Sequence, residues 1–479
     1  MNPASSKQPE YTRELVGFLQ ALQPDALPAE VVDRARYFLL DYLAVAIRGS
    51  REESARAVQR MVQHSGAAGC ATVIGTPIRT LPALAALANG AASHGIELDD
   101  THGGGSIHLG AVMYSVALAL AETVETPPDL FFCAVVAGYE AAARIAMAVQ
   151  PKQHYALGFH PTQTCGVFGA AITAAKLLRL TPDQTLAAVG IAGSMAAGSM
   201  EFLAEGAWTK RIHPGLAAQN GIQAALLAAE SFTGPRHILE GRDGFLQGYS
   251  RDPRPERLTQ ALGESFEILR TAVKPHACCR YMQGPIDAIL GLTREHGIQP
   301  GAIAKIEVAV LEAGWGIVCE PRARKYHPES IVDAQFSMPF GAAVAVVCGA
   351  AGLDQFTVEQ IRSPLLQRIM ERVVLEKDNR LEETFPREWP ARAAIHLTDG
   401  RSYEKFVRYP KGDPENPLTW EEITAKFRSL ADGILPADGC ARVIGGIAAA
   451  NPAALVAVCR LSLPSADHTR PKSAPPQSR

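Results

Sequence analysis

The sequence predicts a mainly α protein: a large all-helical domain with a smaller inserted α+β lid domain. Three observations carry that prediction. Apolar segments of helical period fill the first 270 residues, alternation of strand period appears between residues 271 and 410, and helix-start signals resume after 411. The segmentation that follows is a flexible N-terminus over 1–10, helical chain over 11–270, the α+β module over 271–410, a return to the helical domain over 411–463, and a disordered tail over 464–479, rich in Pro, Ser and basic residues.

Each element has a local reason. Val31–Ile47, Asp129–Val149 and Gly166–Leu178 are apolar on most sides, which predicts helices buried in several layers. Thr181-Pro182-Asp183-Gln184 combines a capping Thr, Pro at the first helical position and Gln three residues after the cap, so a helix should run from there to about Met195. In the α+β module, Ile306, Val308 and Val310 alternate with Glu307 and Ala309, a strand pattern. Segments 393–398 and 401–407 flank Asp399-Gly400, which reads as the two-residue loop of a type I′ hairpin. Helices should start at Thr357-x-x-Gln360 and Ser363-Pro364, then at the capping box Thr419-Trp420-Glu421-Glu422, and at Asn451-Pro452 with an end near Val458. No internal repeat with a period of about 20–50 residues argues for a solenoid.

Composition removes several function classes. The chain has 479 residues, 47% hydrophobic and 20% charged, enough for a large core. Lys plus Arg is 46 against 49 Asp plus Glu, a net charge of −3, so no basic excess points to nucleic acid or to an anionic membrane. No uninterrupted apolar run of about 18 residues predicts a spanning helix. The first ten residues lack an apolar signal core. Cysteines at 70, 133, 165, 278, 279, 319, 348, 440 and 459 form no CxxC pair, which speaks for reduced thiols, a cytoplasmic setting and no iron–sulfur cluster.

Four constellations carry chemistry. The densest runs from His94 to His108 and holds Glu97, Asp99, Asp100, Thr101 and His102 around the triplet Gly103-Gly104-Gly105. Three His and three carboxylates in 15 residues suit an active-site loop better than a solvated one. The His102-Gly-Gly-Gly run resembles an esterase oxyanion turn, but no serine has glycine at both −2 and +2. A metal site from His94, Asp100 and His108 is the open alternative, without a fixed-spacing motif to support it. The second constellation is Gly158-Phe159-His160-Pro161-Thr162, with His160 just before a helix start. The third is Trp208-Thr209-Lys210-Arg211-Ile212-His213-Pro214-Gly215, a cationic cluster fit to clamp a carboxylate. The fourth is Lys274-Pro275-His276-Ala277-Cys278-Cys279-Arg280, at the junction between the two modules, where ligands tend to bind. Several cations, two or more His and a few acids, with neither a nucleotide-binding glycine fingerprint nor a P-loop, suit a small polycarboxylate. Proton transfer next to a carboxylate needs a positioned base and cations for the developing enediolate. No redox cofactor is required.

The four motifs, in this order, resemble the MmgE/PrpD family, which includes 2-methylcitrate dehydratase, cis-aconitate decarboxylase and iminodisuccinate epimerase. The resemblance rests on Glu97-Leu98-Asp99-Asp100-Thr101 with His108, the turn around His160, Trp208-Thr209-Lys210 before His213-Pro214-Gly215, and Lys274 ahead of Cys278-Cys279-Arg280. It spans about residues 10 to 460. It implies a cofactor-independent homodimeric enzyme with its active site in the cleft between the helical domain and the lid. Carried over from the decarboxylase branch, the catalytic set is Glu97, Thr101, His108, His160, Lys210 and Lys274. His160 would be general acid or base, Lys210 and Lys274 carboxylate anchors, and His108 a second proton-transfer group. Asp100, Arg211, His213, Cys279, Arg280 and Tyr326 would contact substrate, Tyr326 as the nearest candidate for the family's lid tyrosine.

Departures from the decarboxylase branch bear on the substrate. That branch has Asp where this chain has Glu97, and His where it has Cys279. The leading expectation is therefore a lyase on a small di- or tricarboxylic acid, of the 2-methylcitrate dehydratase type, with a cis-aconitate-type decarboxylase or an iminodisuccinate-type epimerase as rivals. A non-catalytic scaffold or binding protein is the alternative from another class.

Overall fold

The computed structural model describes residues 10–449. The expectations for the residues before Glu10, for the helix at Asn451-Pro452 and for the tail from 464 lie outside the described residues. The helices of the N-terminal body that matter for the site are α1 (Ala29–Gly49), α2 (Pro82–His94), α3 (Gly110–Ala121), α4 (Pro128–Val149), α5 (Gly166–Leu177), α6 (Pro182–Gly193) and α7 (Thr209–Ala229). Pro opens α2, α4 and α6, where its missing N–H costs nothing. Thr181 and Gln184 form the expected capping box of α6. Every residue of α5 is buried, and so are all but the last of α3, as expected for helices packed on several sides.

The helix crossing that matters most for function joins α2 to α7. A Cβ on Gly90 would fall 2.6 Å from the Cα of Gly215, and one on Gly215 would fall 2.2 Å from the carbonyl oxygen of Leu87. Only glycine on both sides allows this approach. It brings the C-terminus of α2, with His94, toward the start of α7, with Lys210 and His213.

The expectation about spanning helices needs correcting. The 22-residue α4 is long and apolar enough to cross a membrane by length and composition, because its charges are few and scattered. It is nevertheless a core element here, with 89% of its most apolar window buried inside the protein.

In the C-terminal half, α8 (Gln283–His296) packs on a four-stranded sheet of β1 (Ile303–Ala309), β2 (Val373–Glu376), β3 (Ala391–Leu397) and β4 (Ser402–Val407). The order is β2-β1-β3-β4, with β1 and β2 parallel and the other pairs antiparallel. Thr357 caps a short helix over Val358–Ile361, and Ser363 precedes another over Pro364–Met370. The β3–β4 connection departs from the type I′ expectation. Gly400 N–H donates to the Leu397 carbonyl and Leu397 N–H to the Arg401 carbonyl, so the loop has three residues. Gly400 takes φ +92° while Asp399 keeps negative φ, which makes this a turn closed by a left-handed glycine.

After the sheet, α9 (Trp420–Ala431), opened by the Thr419–Glu422 capping box, packs on α1. From it, Lys426 Nζ donates to Asp41 Oδ1 at 2.6 Å and to the carbonyls of Leu98 and Lys274 at 2.7 and 3.0 Å. This ammonium, its side chain 10% exposed, ties α9 to α1 and to the segments around Leu98 and Lys274. A further helix follows over Gly439–Ala448. The eight described cysteines are free thiols.

Candidate active site

Four chain segments converge on one small chamber. After α2 the chain turns through Glu97 in the left-handed region, φ +57°, a conformation rarely adopted by a residue with a side chain and so a local strain. Thr101–His102 then pairs antiparallel with Thr271–Ala272, which carries Lys274 to the chamber. Gly103–Ser106 turns the chain back, and His102 and Ile107 form a bridge that sets His108 beside α3. His160 is fixed by its N–H to the Gly198 carbonyl at 3.0 Å, and the N–H of His108 reaches Thr162 Oγ1 at 3.3 Å.

The electrostatic centre is a buried cluster of two carboxylates and two ammonium groups. Lys210 Nζ bonds Glu97 Oε1, Lys274 Nζ donates to Glu97 Oε2 at 3.2 Å, and Lys274 Nζ lies 3.5 Å from Asp99 Oδ1. Lys274 is fully buried. Burial pushes the Glu97 carboxyl up, but Lys210 and Lys274 outweigh it and hold it below the ordinary range. Burial also pulls Lys274 down, and there Glu97 and Asp99 prevail and raise it. For Lys210, burial wins over Glu97 and the ammonium is weakened.

Asp99 organises two imidazoles. Its Oδ2 lies 2.6 Å from His94 Nδ1 and 3.2 Å from His108 Nδ1. His108 Nδ1 also faces the Asp100 carbonyl at 2.9 Å and Thr101 Oγ1 at 3.3 Å. A carbonyl only accepts, so Nδ1 carries the proton and Nε2 keeps its lone pair. Burial keeps the imidazole neutral: it pulls His108 down, His94 to about 4, and His160 well below its ordinary value. His160 Nδ1 and His213 Nδ1 are 2.9 Å apart, so one of that pair donates to the other.

The chamber is lined by Glu97, Thr101, His108, His160, Lys210, Cys279 and Arg280, closed by Tyr155, Phe202, Tyr281 and Phe336, and has a free volume of about 30 Å³. That holds roughly two waters. A larger cleft of about 550 Å³ lies beyond Ser106 and Tyr281, which belong to both walls. On the inner side, the Tyr155 hydroxyl lies 2.9 Å from Ser106 Oγ and donates to the Ser106 carbonyl at 3.1 Å.

Of the residues proposed from sequence, the structure thus gathers Glu97, Thr101, His108, His160, Lys210, Cys279 and Arg280 on the chamber wall, with Lys274 behind Glu97 and His213 behind His160. Arg280 also bonds Asp413 and lies over Trp389, 4.9 Å from the ring centre. Three residues lie elsewhere. Asp100 turns to the start of α3, where its carboxylate accepts from Gly110 N–H at 2.8 Å and from the Tyr139 hydroxyl at 2.6 Å. That pairing rules it out of the proposed metal trio. Arg211 points to Ser54 at 3.2 Å and Glu52 at 3.8 Å. Tyr326 donates to the Val373 carbonyl at 2.6 Å, at the sheet. Asp99, His94, Tyr155 and Tyr281 enter the site without having been assigned to it.

The chemistry on display is carboxylate anchoring next to neutral imidazoles with free lone pairs. Comparison with known proteins agrees with that reading at the level of family. Residues 13–258 match the MmgE/PrpD N-terminal domain and residues 276–446 the MmgE/PrpD C-terminal domain. The chain is 30% identical over 465 residues to a cis-aconitate decarboxylase-like protein of Aspergillus oryzae, covering 92% of this chain and 94% of that one. It is 28% identical over 459 residues to a cis-aconitate decarboxylase of Aspergillus terreus (90% and 91% covered), and 25% over 439 residues to the cis-aconitate decarboxylase of Mus musculus (89% and 88% covered). With both domains matched in order and a relative aligned over nearly its full length, the chain belongs to the MmgE/PrpD family.

Proposed function

We propose that this protein is a cofactor-independent lyase acting on a small tricarboxylic acid, and that its reaction is a decarboxylation of the cis-aconitate type. The observation that carries the reading is the pair of buried ammonium groups, Lys210 and Lys274, converging on one carboxylate beside His108 and His160. Substrate carboxylates take up the same cations. The bond from the substrate's methylene carbon to its carboxylate breaks and carbon dioxide leaves. That electron pair forms a new double bond to the central carbon, and the displaced π pair takes a proton at the far carbon from an imidazolium at His108 or His160. Both imidazoles are neutral in the free protein, so a polyanion beside them is what favours the proton-bearing form. Likeness over about nine-tenths of each chain to proteins named cis-aconitate decarboxylases supports this choice over the dehydration expected from sequence.

A second reading, a hydro-lyase of the 2-methylcitrate dehydratase type, is favoured by Glu97 and Cys279, which stand where the decarboxylase branch has Asp and His. Burial raises the Cys279 thiol, so it stays neutral and does not replace an imidazole as proton carrier. Either reaction requires the chamber to open, and we assign that motion to the 271–410 module moving as a lid.

The test is to incubate metal-stripped protein with cis-aconitate, 2-methylcitrate, citrate and iminodisuccinate in deuterated water, following products by proton NMR. Itaconate carrying one deuterium is the expected product. Gain or loss of water moves the assignment to hydro-lyase, and label uptake with inversion to epimerase. Silence across the panel from folded protein would overturn the lyase reading in favour of a binding protein.

A further inference from the structure

The chamber holds one feature that proton transfer alone does not use. His94 is completely buried, and its Nε2 has no hydrogen-bond partner among the described residues. Its Nδ1 is engaged by Asp99, as is that of His108, so a single carboxylate fixes both rings with Nε2 as the lone-pair nitrogen. One ring nitrogen from each of His94, His108 and His160 lies within 4.8 Å of the others. The rings of His94 and His108 are 4.6 Å apart, and that of His160 is 6.1 and 6.4 Å from them.

Three imidazoles with ring nitrogens this close, two of them oriented by a shared carboxylate, are a donor set suited to a three-histidine transition-metal site. We propose that this trio binds one borderline divalent cation of the zinc class, and that the bound ion inhibits the enzyme by taking the lone pairs that the reaction needs. Bonds of about 2.0–2.1 Å to zinc require the three nitrogens to draw together by somewhat more than an ångström. The short Gly103–Ser106 loop on one flank of His108 gives that freedom. The charges nearby balance: Lys210 and Lys274 are matched by Glu97 and Asp99, so the ion enters a neutral shell and not a cationic one. The preference for imidazole donors and for a small cluster excludes calcium and magnesium, which take oxygen ligands.

Binding rests on the histidine geometry alone; the inhibitory effect rests also on the lyase reading, and the experiment separates them. Untagged, full-length protein freed of metal is titrated with cobalt(II) and followed by visible absorption. The expected result is one equivalent of cobalt giving the intense bands of a low-coordinate site, discharged by zinc. His94→Gln should abolish the bands, and Asp99→Asn should weaken binding by about 10–100-fold, each variant being checked for native circular dichroism. His237→Gln, an exposed histidine paired with Glu240, should change nothing. Absence of the bands in the parent protein, or bands that persist undiminished in both His94→Gln and Asp99→Asn, overturns the site. Where turnover is found, zinc should abolish it and a chelator restore it. A cobalt spectrum in a protein that turns over no carboxylate would leave the site standing and sink the lyase reading instead.

Discussion

Two charge clusters in this molecule set acidic against basic side chains, one at the solvated edge of the sheet and one in the interior. On the sheet, Arg392 reaches Glu376 at 2.8 Å, Glu404 at 3.0 Å and Asp378 at 3.1 Å, and the Glu404 side chain is 57% exposed. In the chamber, Glu97, Asp99, Lys210 and Lys274 are each no more than 6% exposed. Water reaches Glu404 and, at 34% exposure, Glu376, while Arg392 and Asp378 keep 11%, so a lost member of this cluster is replaced in part by solvent and its ion pairs contribute modestly. Nothing stands in for a lost member of the second, whose charges are tolerable only together. A buried set of this kind is a poor way to gain stability and a good way to keep cations ready for an anionic ligand.

The comparison breaks hardest at Lys274. Lys274→Met leaves Glu97 and Asp99 short of a partner, and urea unfolding should show a loss of about 3–5 kcal/mol. Turnover, where measurable, should fall by at least about 10²-fold. A stability change near zero would mean that the two clusters do not differ as argued.

Next in size is the helix contact that brings the chamber's walls together. Gly90→Ala places a methyl against Gly215 and should cost about 1–3 kcal/mol, read by the same unfolding curves. Because the crossing sets the distance from His94 to the start of α7, catalytic efficiency should drop as well, although residue 90 touches no substrate.

A smaller effect isolates one buried histidine away from the charges. His154 donates from Nδ1 to the Tyr249 carbonyl at 2.9 Å and lies 2.7 Å from Thr164 Oγ1 through Nε2, and burial lowers it to about 4. The unfolded chain, titrating near 6.5, takes up the proton first as pH falls, so the stabilisation is complete above about pH 6.5 and is lost toward pH 4. Thermal melts of the parent and His154→Gln should therefore converge as pH drops from 7, by about 1 kcal/mol at pH 5.5. A gap independent of pH would refute the assignment. Smallest of all is Arg392→Gln on the sheet, expected within about 1 kcal/mol and without effect on turnover.

What was legible in the sequence was local. The boxes at Thr181–Gln184 and Thr419–Glu422 cap their helices because the partners are three residues apart. The four motifs were legible as local clusters, whereas their meeting depends on contacts such as the Gly90–Gly215 crossing, far apart in the chain. That Asp99, and not Asp100, holds the imidazoles is not legible in the sequence. Residues 97–100 run through an irregular turn with Glu97 at φ +57°, where no strand or helix period applies, and the Tyr139 hydroxyl that takes the Asp100 carboxylate is 39 residues away. The place of Tyr326 is equally hidden, since the Val373 carbonyl that holds it is 47 residues away. The same is true of Lys426, whose three partners lie 152 to 385 residues distant.

The tightness of the inner chamber makes apparent affinity a measure of how often the protein opens. With room for only about two waters, the closed form admits no tricarboxylate, so the observed dissociation constant is the intrinsic one divided by the open fraction. An open population of about one in a hundred would weaken binding about a hundredfold without altering a single contact to the ligand. Loosening the seam between the 271–410 module and the helical body would shift that population, so selection for tighter binding should return variants of that seam before variants of the wall.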